Sequence, residues 1–212
     1  MPKQELRMKT DGRSAEERFN VLITGVGGQG TVLASRLLAS AAMNSGYLAR
    51  TAETIGMAQR GGAVTSHVRI GDRSGSAIIP AGKADLLIGF EPVETGKNIL
   101  LLAKDGKCIV NTRLIRSAFS SYPCSGAELE KLYSYITFHV PDTVFVDGDK
   151  IAAEAGSSKA LNTVLLGVAL GAGWLPFSIE TVEECIKSHL PGKYVELNLK
   201  ALAGGYEYKR MN

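Results

Sequence analysis

Apolar runs of strand length alternate with helical patterns along most of the chain. FNVLITG (19–25) is a continuous apolar run that turns at glycine, the pattern of a strand buried on both faces. A helix over about 28–45 follows, then a second strand around YLARTAE (47–53). AVTSHVRIG (63–71) alternates apolar and polar residues and predicts a strand with one solvated or ligand-facing side. SAIIP (76–80) is expected to pair with it as a hairpin across GDRSGS. ADLLIGF (84–90) predicts another buried strand, followed by Glu91-Pro92 and a helix to Ala103, and KCIVN (107–111) a further strand.

Beyond that point the pattern weakens. One helix is predicted over 126–134, and FHVPDTVFVDG reads as a short strand or two pieces broken at Pro141. Three helices, roughly 160–172, 178–189 and 192–204, close the chain, the last with Val195, Leu199 and Leu202 on one stripe and Gly204-Gly205 at its end. Strands alternating with helices predict an α/β fold: a single Rossmann-like domain over 19–212, its mostly parallel sheet flanked by helices and followed by C-terminal helices.

Composition narrows the class. A chain of 212 residues suits one sizeable core, and 45% hydrophobic with 21% charged residues is ordinary for a soluble protein. A net charge of +3, with no block of five Lys/Arg, argues against nucleic acid as the main partner. Residues 1–18 carry nine charged side chains and no apolar run, so they read as a flexible tail and not as a signal peptide. ALNTVLLGVALGAGWLPF, from Ala160, is interrupted by Asn162, Thr163 and Pro176, and suits a buried helix better than a membrane span. A cytoplasmic protein with no membrane partner is expected. Cys108, Cys124 and Cys185 are scattered, which points to a reducing compartment and supplies no zinc or iron–sulfur site from this chain alone.

The chemistry concentrates in two glycine-rich stretches. In ITGVGGQGTVLASRLLASAA, Gly25, Gly27 and Gly30 fit G-x-G-x-x-G: a tight turn, room for a phosphate and close helix–strand contact, with backbone N–H groups and the helix dipole facing an anion. Gly28 and Gln29 add a bare backbone position and a side-chain amide at the rim. The same glycines also suit packing alone. Glu53 falls where a dinucleotide domain presents its ribose-binding acid. Next, ETIGMAQRGGAVTSHVRIG sets Gln59, Arg60, Gly61 and Gly62 in a loop before the alternating strand. An arginine beside paired glycines suits an anion-contacting loop, or else a solvated surface arginine.

Other candidates have ordinary readings beside functional ones. His67 suits a ligand cleft or a hydrogen-bonded core position, and His139 and His189 share no metal-ligand spacing with it. Cys108 and Cys124 are weak nucleophile candidates. Glu91 stands at a strand's C-terminal end, where open α/β sheets bind ligands, and equally before a proline that starts a helix. Asn162 suits a helix cap or a subunit contact. No catalytic residue is assignable.

VLITGVGGQGTVLASRLLASAA, AETIGMAQRGGAVTSHVRIGD and PGKYVELNLKALAGGYE, with ADLLIGFEP and KALNTVLLG in order between them, resemble the gamma-domain family of 2-oxoacid:ferredoxin oxidoreductases, and within it the indolepyruvate-type beta subunits. The likeness runs from Phe19 to Tyr206, except over 114–135, where no family pattern is recognised. It implies a gamma-type catalytic domain over 19–212 in a two-subunit cytoplasmic enzyme. That enzyme would oxidatively decarboxylate an aryl 2-oxoacid to its acyl-CoA and pass electrons to ferredoxin. The resemblance places thiamine diphosphate and iron–sulfur clusters in a larger alpha subunit, and this chain on the coenzyme A side, with MAQRGG against CoA phosphates. DGDK (147–150) only approaches a thiamine diphosphate motif. An independent NAD(P)- or flavin-dependent oxidoreductase and a non-catalytic scaffold subunit remain as alternatives.

Overall fold

The computed structural model describes residues 18–56, 61–71, 75–115 and 126–211. The expected tail thus lies, but for Arg18, outside the described residues. Six strands form one sheet: β1 (Phe19–Val26), β2 (Ala49–Ile55), β3 (Ala63–Ile70), β4 (Ala84–Gly89), β5 (Leu102–Asn111) and β6 (Thr143–Val146). Their order across the sheet is β2-β3-β1-β4-β5-β6. β1, β4, β5 and β6 run parallel, while β3 is antiparallel to both its neighbours, β1 and β2.

Both faces of the central strands are buried, which is why β1 reads as an unbroken apolar run. Val21 and Ile23 pack on one side with α1 (Thr31–Asn44), α5 (Leu161–Gly171) and α6 (Ile179–His189), through Leu37, Leu165 and Val182. Leu22 points the other way, toward α2 (Pro92–Asn98) and α3 (Gly126–His139), with Leu87, Val110, Ile99 and Ile136. α4 (Gly148–Ala155) and α7 (Gly192–Met211) join the first layer beyond α5, where Ala152, Val164 and Ala201 meet.

Three expectations need correction, and one helix was not foreseen. The 76–80 segment forms no strand, because its backbone carbonyls serve side chains of β3: Arg69 donates to Ser76 O at 2.8 Å and to Ile78 O at 3.3 Å. The helix from Pro92 gives way to a short 3-10 turn, and β5 already begins at Leu102. Helix α4 went unrecognised, although Asp147 caps its start and Gly156, at φ 120°, stops it. Helix α7 continues through Gly204-Gly205 instead of ending there. A Cβ on Gly205 would overlap Val164 O, and one on Gly167 would overlap Leu202 O and lie 2.9 Å from Tyr206 N. The glycines let two helix backbones touch.

Candidate functional site

Parallel strands with right-handed connections bring their C-terminal ends and the following helix starts to one edge of the sheet. That edge here collects the β1–α1 turn, Phe90-Glu91 after β4, Asn111–Arg113 after β5, and Asp147–Asp149 after β6. Because β3 is antiparallel, the loop that precedes it arrives at the same edge. The Gly27 N–H donates to Gly62 O at 2.9 Å. The two glycine stretches, more than thirty residues apart in sequence, are therefore one surface. Gln59 and Arg60 lie outside the described residues; Gly61, at φ 76°, begins the described part again.

Within the turn the five positions divide by role. Gly25 has no room for a side chain, since a Cβ there would sit 2.7 Å from Gln29 Oε1 and 2.9 Å from Phe90 Cβ. Gln29 turns inward: its Oε1 accepts from Val26 N at 2.7 Å and its Nε2 donates to Phe90 O at 2.9 Å. Both ends of the amide are thus spent on holding the turn against β4. Gly28, at φ 102°, is exposed, and a Cβ on it would meet nothing within 4 Å. Gly30, at φ 86°, is the residue before α1 and makes no side-chain cap, and no acidic residue follows in the first turn. The first N–H groups of α1 consequently have no side-chain acceptor, which leaves a partial positive charge beside open space.

A second helix start converges there. Asn162, in the first turn of α5, is 2% exposed, and its Cγ stands 3.4 Å from a Cβ built on Gly30. α5 has no acid in its first turn and continues from a 3-10 turn, Ser158–Ala160, whose start the Ser157 side chain caps. Asn162 packs over the glycine turn. This is the signal that a helix pattern with asparagine at its start offered, without showing what it would cover.

The other half of the edge is filled by its own polar groups. Asn111, fully buried, accepts from Gly148 N at 3.0 Å and donates to Phe90 O at 3.2 Å and Asp149 Oδ2 at 2.9 Å. Arg113 closes the chain with a 2.7 Å ion pair to Asp149. Phe90 O thus receives both Gln29 and Asn111, tying β1, β4, β5 and α4 together. Sequence reading missed Asn111, Arg113 and Asp149, because only the neighbourhood of β5 and β6 makes them a set. Glu91 accepts from Glu94 N at 2.8 Å and so starts α2. Its other oxygen is buried without a hydrogen-bond partner, and burial raises its carboxyl pKa, further helped by the Glu94 charge and opposed by backbone N–H groups of Glu94, Val93 and Ile115.

The remaining candidates do not join this surface. Glu53 sits on β2, separated from β1 by β3, and takes a 3.2 Å bond from Ser35. It shares a register row with Ile23, about 9.5 Å away across two strand spacings. A ribose-binding acid would need β2 beside β1, so that expectation fails on topology. His67 is buried, its Nδ1 accepts from Ile79 N at 3.3 Å, and burial lowers its pKa. His139 bonds Tyr135 O within α3, and His189 pairs with Ser40 at 3.1 Å between α6 and α1. Cys108 is buried in β5 with its thiol pKa pushed far up by desolvation, and Cys124 lies outside the described residues. Among the described residues no three His, Cys, Asp or Glu are placed to hold a metal ion, and no helix is long and apolar enough to cross a membrane.

Comparison with known proteins places this fold. Residues 20–208 match the family model for pyruvate ferredoxin/flavodoxin oxidoreductase. The indolepyruvate oxidoreductase subunit IorB of Archaeoglobus fulgidus is 42% identical over 190 residues, 89% of this chain and 94% of its own length. Among solved structures, the keto/oxoacid ferredoxin oxidoreductase gamma subunit of Geobacter sulfurreducens superposes with a TM-score of 0.66 at 26% identity, over 92% of this chain and 99% of that one. The 2-oxoglutarate:ferredoxin oxidoreductase of Magnetococcus marinus, solved with 2-oxoglutarate, coenzyme A and succinyl-CoA bound, has the same fold in 31% of its longer chain, covering 92% of this one, at a TM-score of 0.65 and 15% identity.

Proposed function

The chain belongs to the pyruvate ferredoxin/flavodoxin oxidoreductase family, and we propose that it is the beta-type subunit of an indolepyruvate or other aryl-2-oxoacid:ferredoxin oxidoreductase, forming the coenzyme A side of the active site. The IorB relative and the gamma-subunit structure support the subunit type. The reaction decarboxylates the 2-oxoacid, transfers the acyl group to the CoA thiol and delivers two electrons to ferredoxin. Thiamine diphosphate and the clusters belong to a larger alpha subunit. A cluster of the ferredoxin kind takes four thiolates, and this chain has three cysteines, of which Cys108 and Cys185 are buried in different elements. Its residues do not fit that group.

One observation carries the CoA reading: the Gly27–Gly62 hydrogen bond unites the glycine turn with the loop that holds Arg60. The uncapped start of α1 lies at the same place, with Asn162 of α5 packed over it. Backbone N–H groups, an exposed Gly28 and an arginine directly before Gly61 in the sequence suit a phosphate-rich ligand. Arg60 contacts a CoA phosphate, Gln59 bonds nearby, Gly61-Gly62 admit the backbone, and Gly25 through Gly30 shape the cradle, with Gln29 bracing it from within. No such case exists for a nicotinamide or flavin enzyme, whose ribose acid is displaced with Glu53.

The test uses the reconstituted complex, with CoA and 2-oxoacid varied separately. Arg60→Ala should weaken CoA binding by about 1.5–3 kcal/mol, the range for a hydrogen bond to a charged group, and leave the 2-oxoacid dependence near wild type. An unchanged CoA dependence would remove this loop from the CoA site.

A further inference from the structure

Strand β2 is the outer edge of the sheet, and its backbone geometry specifies what can pair with it. Its register to β3 is unbroken from Ala49↔Ile70 to Ile55↔Val64. The Gly71 N–H donates to Leu48 O at 2.8 Å and the Gly56 N–H to Ala63 O at 2.9 Å. In an antiparallel ladder bonded pairs recur at every second residue. Arg50, Ala52 and Thr54 therefore bond inward to β3, and Ala49, Thr51, Glu53 and Ile55 direct their N–H and C=O groups outward. The edge has no proline and no bulge to block strand addition, and its charged residues are Arg50 and Glu53. Apolar side chains flank it: Leu48 is 56% exposed, Ile55 58%, and Met43 at the end of α1 54%.

We propose that this edge pairs antiparallel with β2 of a second copy of the chain, about a two-fold axis through Ala52. Two conditions fix the register of such a pair. A two-fold perpendicular to the sheet keeps each face on its own side, so paired residues must share parity. Only pairing centred on Ala52 joins all the outward residues to one another: Ala49 with Ile55 and Thr51 with Glu53, each twice. It also sets Arg50 opposite Thr54, so no like charges face each other. Centring on Glu53 would oppose two carboxylates, and centring on Thr51 would leave Ile55 opposite Tyr47, outside the strand. The edge is self-complementary. The resulting twelve-stranded sheet leaves both copies of the glycine edge free, and the inference stands independently of the CoA reading.

Sedimentation of the full chain should show a dimer. With Ala52→Cys, the two Cα atoms lie about 4.5 Å apart in a non-hydrogen-bonded pair, inside the range a disulfide spans, so mild oxidation should give a covalent dimer. Thr54→Cys, which faces Arg50 across the axis, should give none. Thr51→Glu, opposite Glu53, should raise the dimer dissociation constant about tenfold, whereas Thr51→Lys should not weaken it. The cysteine pair keeps the test open if a Thr51 variant fails to fold. Equal cross-linking by both cysteine variants, none by Ala52→Cys, or a monomer whose β2 is covered only when the larger subunit binds would each overturn the proposal.

Discussion

Helices α2 and α4 begin on acidic side chains of their own: Glu91 accepts from Glu94 N, and Asp147 from Lys150 N at 3.0 Å. Helix α1, on the same edge, begins on Gly30 with no side-chain acceptor, whereas α5 continues from a 3-10 turn whose start Ser157 caps through Lys159 N. One half of the edge therefore neutralises its helix dipoles internally and knits its loops through Asn111. The other half leaves the start of α1 bare, with Gly28 in open space. The difference separates the stabilising half from the receiving half. An anion gains little at a start already occupied by a carboxylate, and most at a start that has none.

The largest effect should come from breaking the knitted half. Asn111→Ala leaves Gly148 N and part of the demand of Asp149 unmet in a buried place. Orphaned buried groups cost about 1–3 kcal/mol each, so the loss should be about 3 kcal/mol in urea unfolding. If the halves are separate in role, complex that still assembles should keep its CoA dependence.

In the receiving half the loss reaches the ligand as well. Gly28→Asp forces a side chain onto a residue at φ 102°, a conformation that strains it, and brings a carboxylate to the uncapped start of α1. Stability should fall by about 1–3 kcal/mol, the cost of a non-glycine residue held at such a φ, while CoA affinity falls about tenfold or more, equal to ~1.4 kcal/mol. Isothermal titration of the complex separates the two quantities. A variant that keeps CoA affinity would erase the contrast. Smaller again, Asp147→Ala removes a cap worth about 1 kcal/mol; thermal unfolding should register it, and CoA titration should not.

What the sequence showed of this edge followed from how local each signal was. The β1 turn is legible because its strand, glycines and helix are contiguous. The direction of β3 was also within reach. Residues 56–62 are too few for a parallel crossover, which takes a dozen or more, so β2 and β3 had to be antiparallel; that β3 and not β2 adjoins β1, which removes Glu53 from the turn, is a fact of pairing. The run of Gly204-Gly205 was read as a helix stop because nothing local distinguishes a stop from a contact. Its counterpart, Gly167 and Gly171 one turn apart on α5, lies on another helix. Asn111 and Asp149 become a pair only when β5 and β6 are neighbours, a fact of pairing that no segment carries alone.

The smallest effect concerns Glu91, where the knitted half carries a penalty of its own. Burial raises its carboxyl pKa in the folded chain above the ordinary value of 4.5. Between those two values the folded state keeps a proton that the unfolded chain has released. Stability must then fall as pH rises from about 4.5 through the folded value, and stay level above it. His67 acts with the opposite sign: burial lowers its pKa, so it removes stability as pH falls below its ordinary 6.5. The two slopes partly cancel in the wild-type curve. Glu91→Gln keeps an acceptor for Glu94 N and abolishes one titration, so the difference between variant and wild-type urea curves isolates Glu91. That difference should grow in the variant's favour as pH rises through the window, while the CoA dependence of the complex stays put. A difference flat with pH would mean that Glu91 ionises freely, and that its buried oxygen is no burden on this half of the edge.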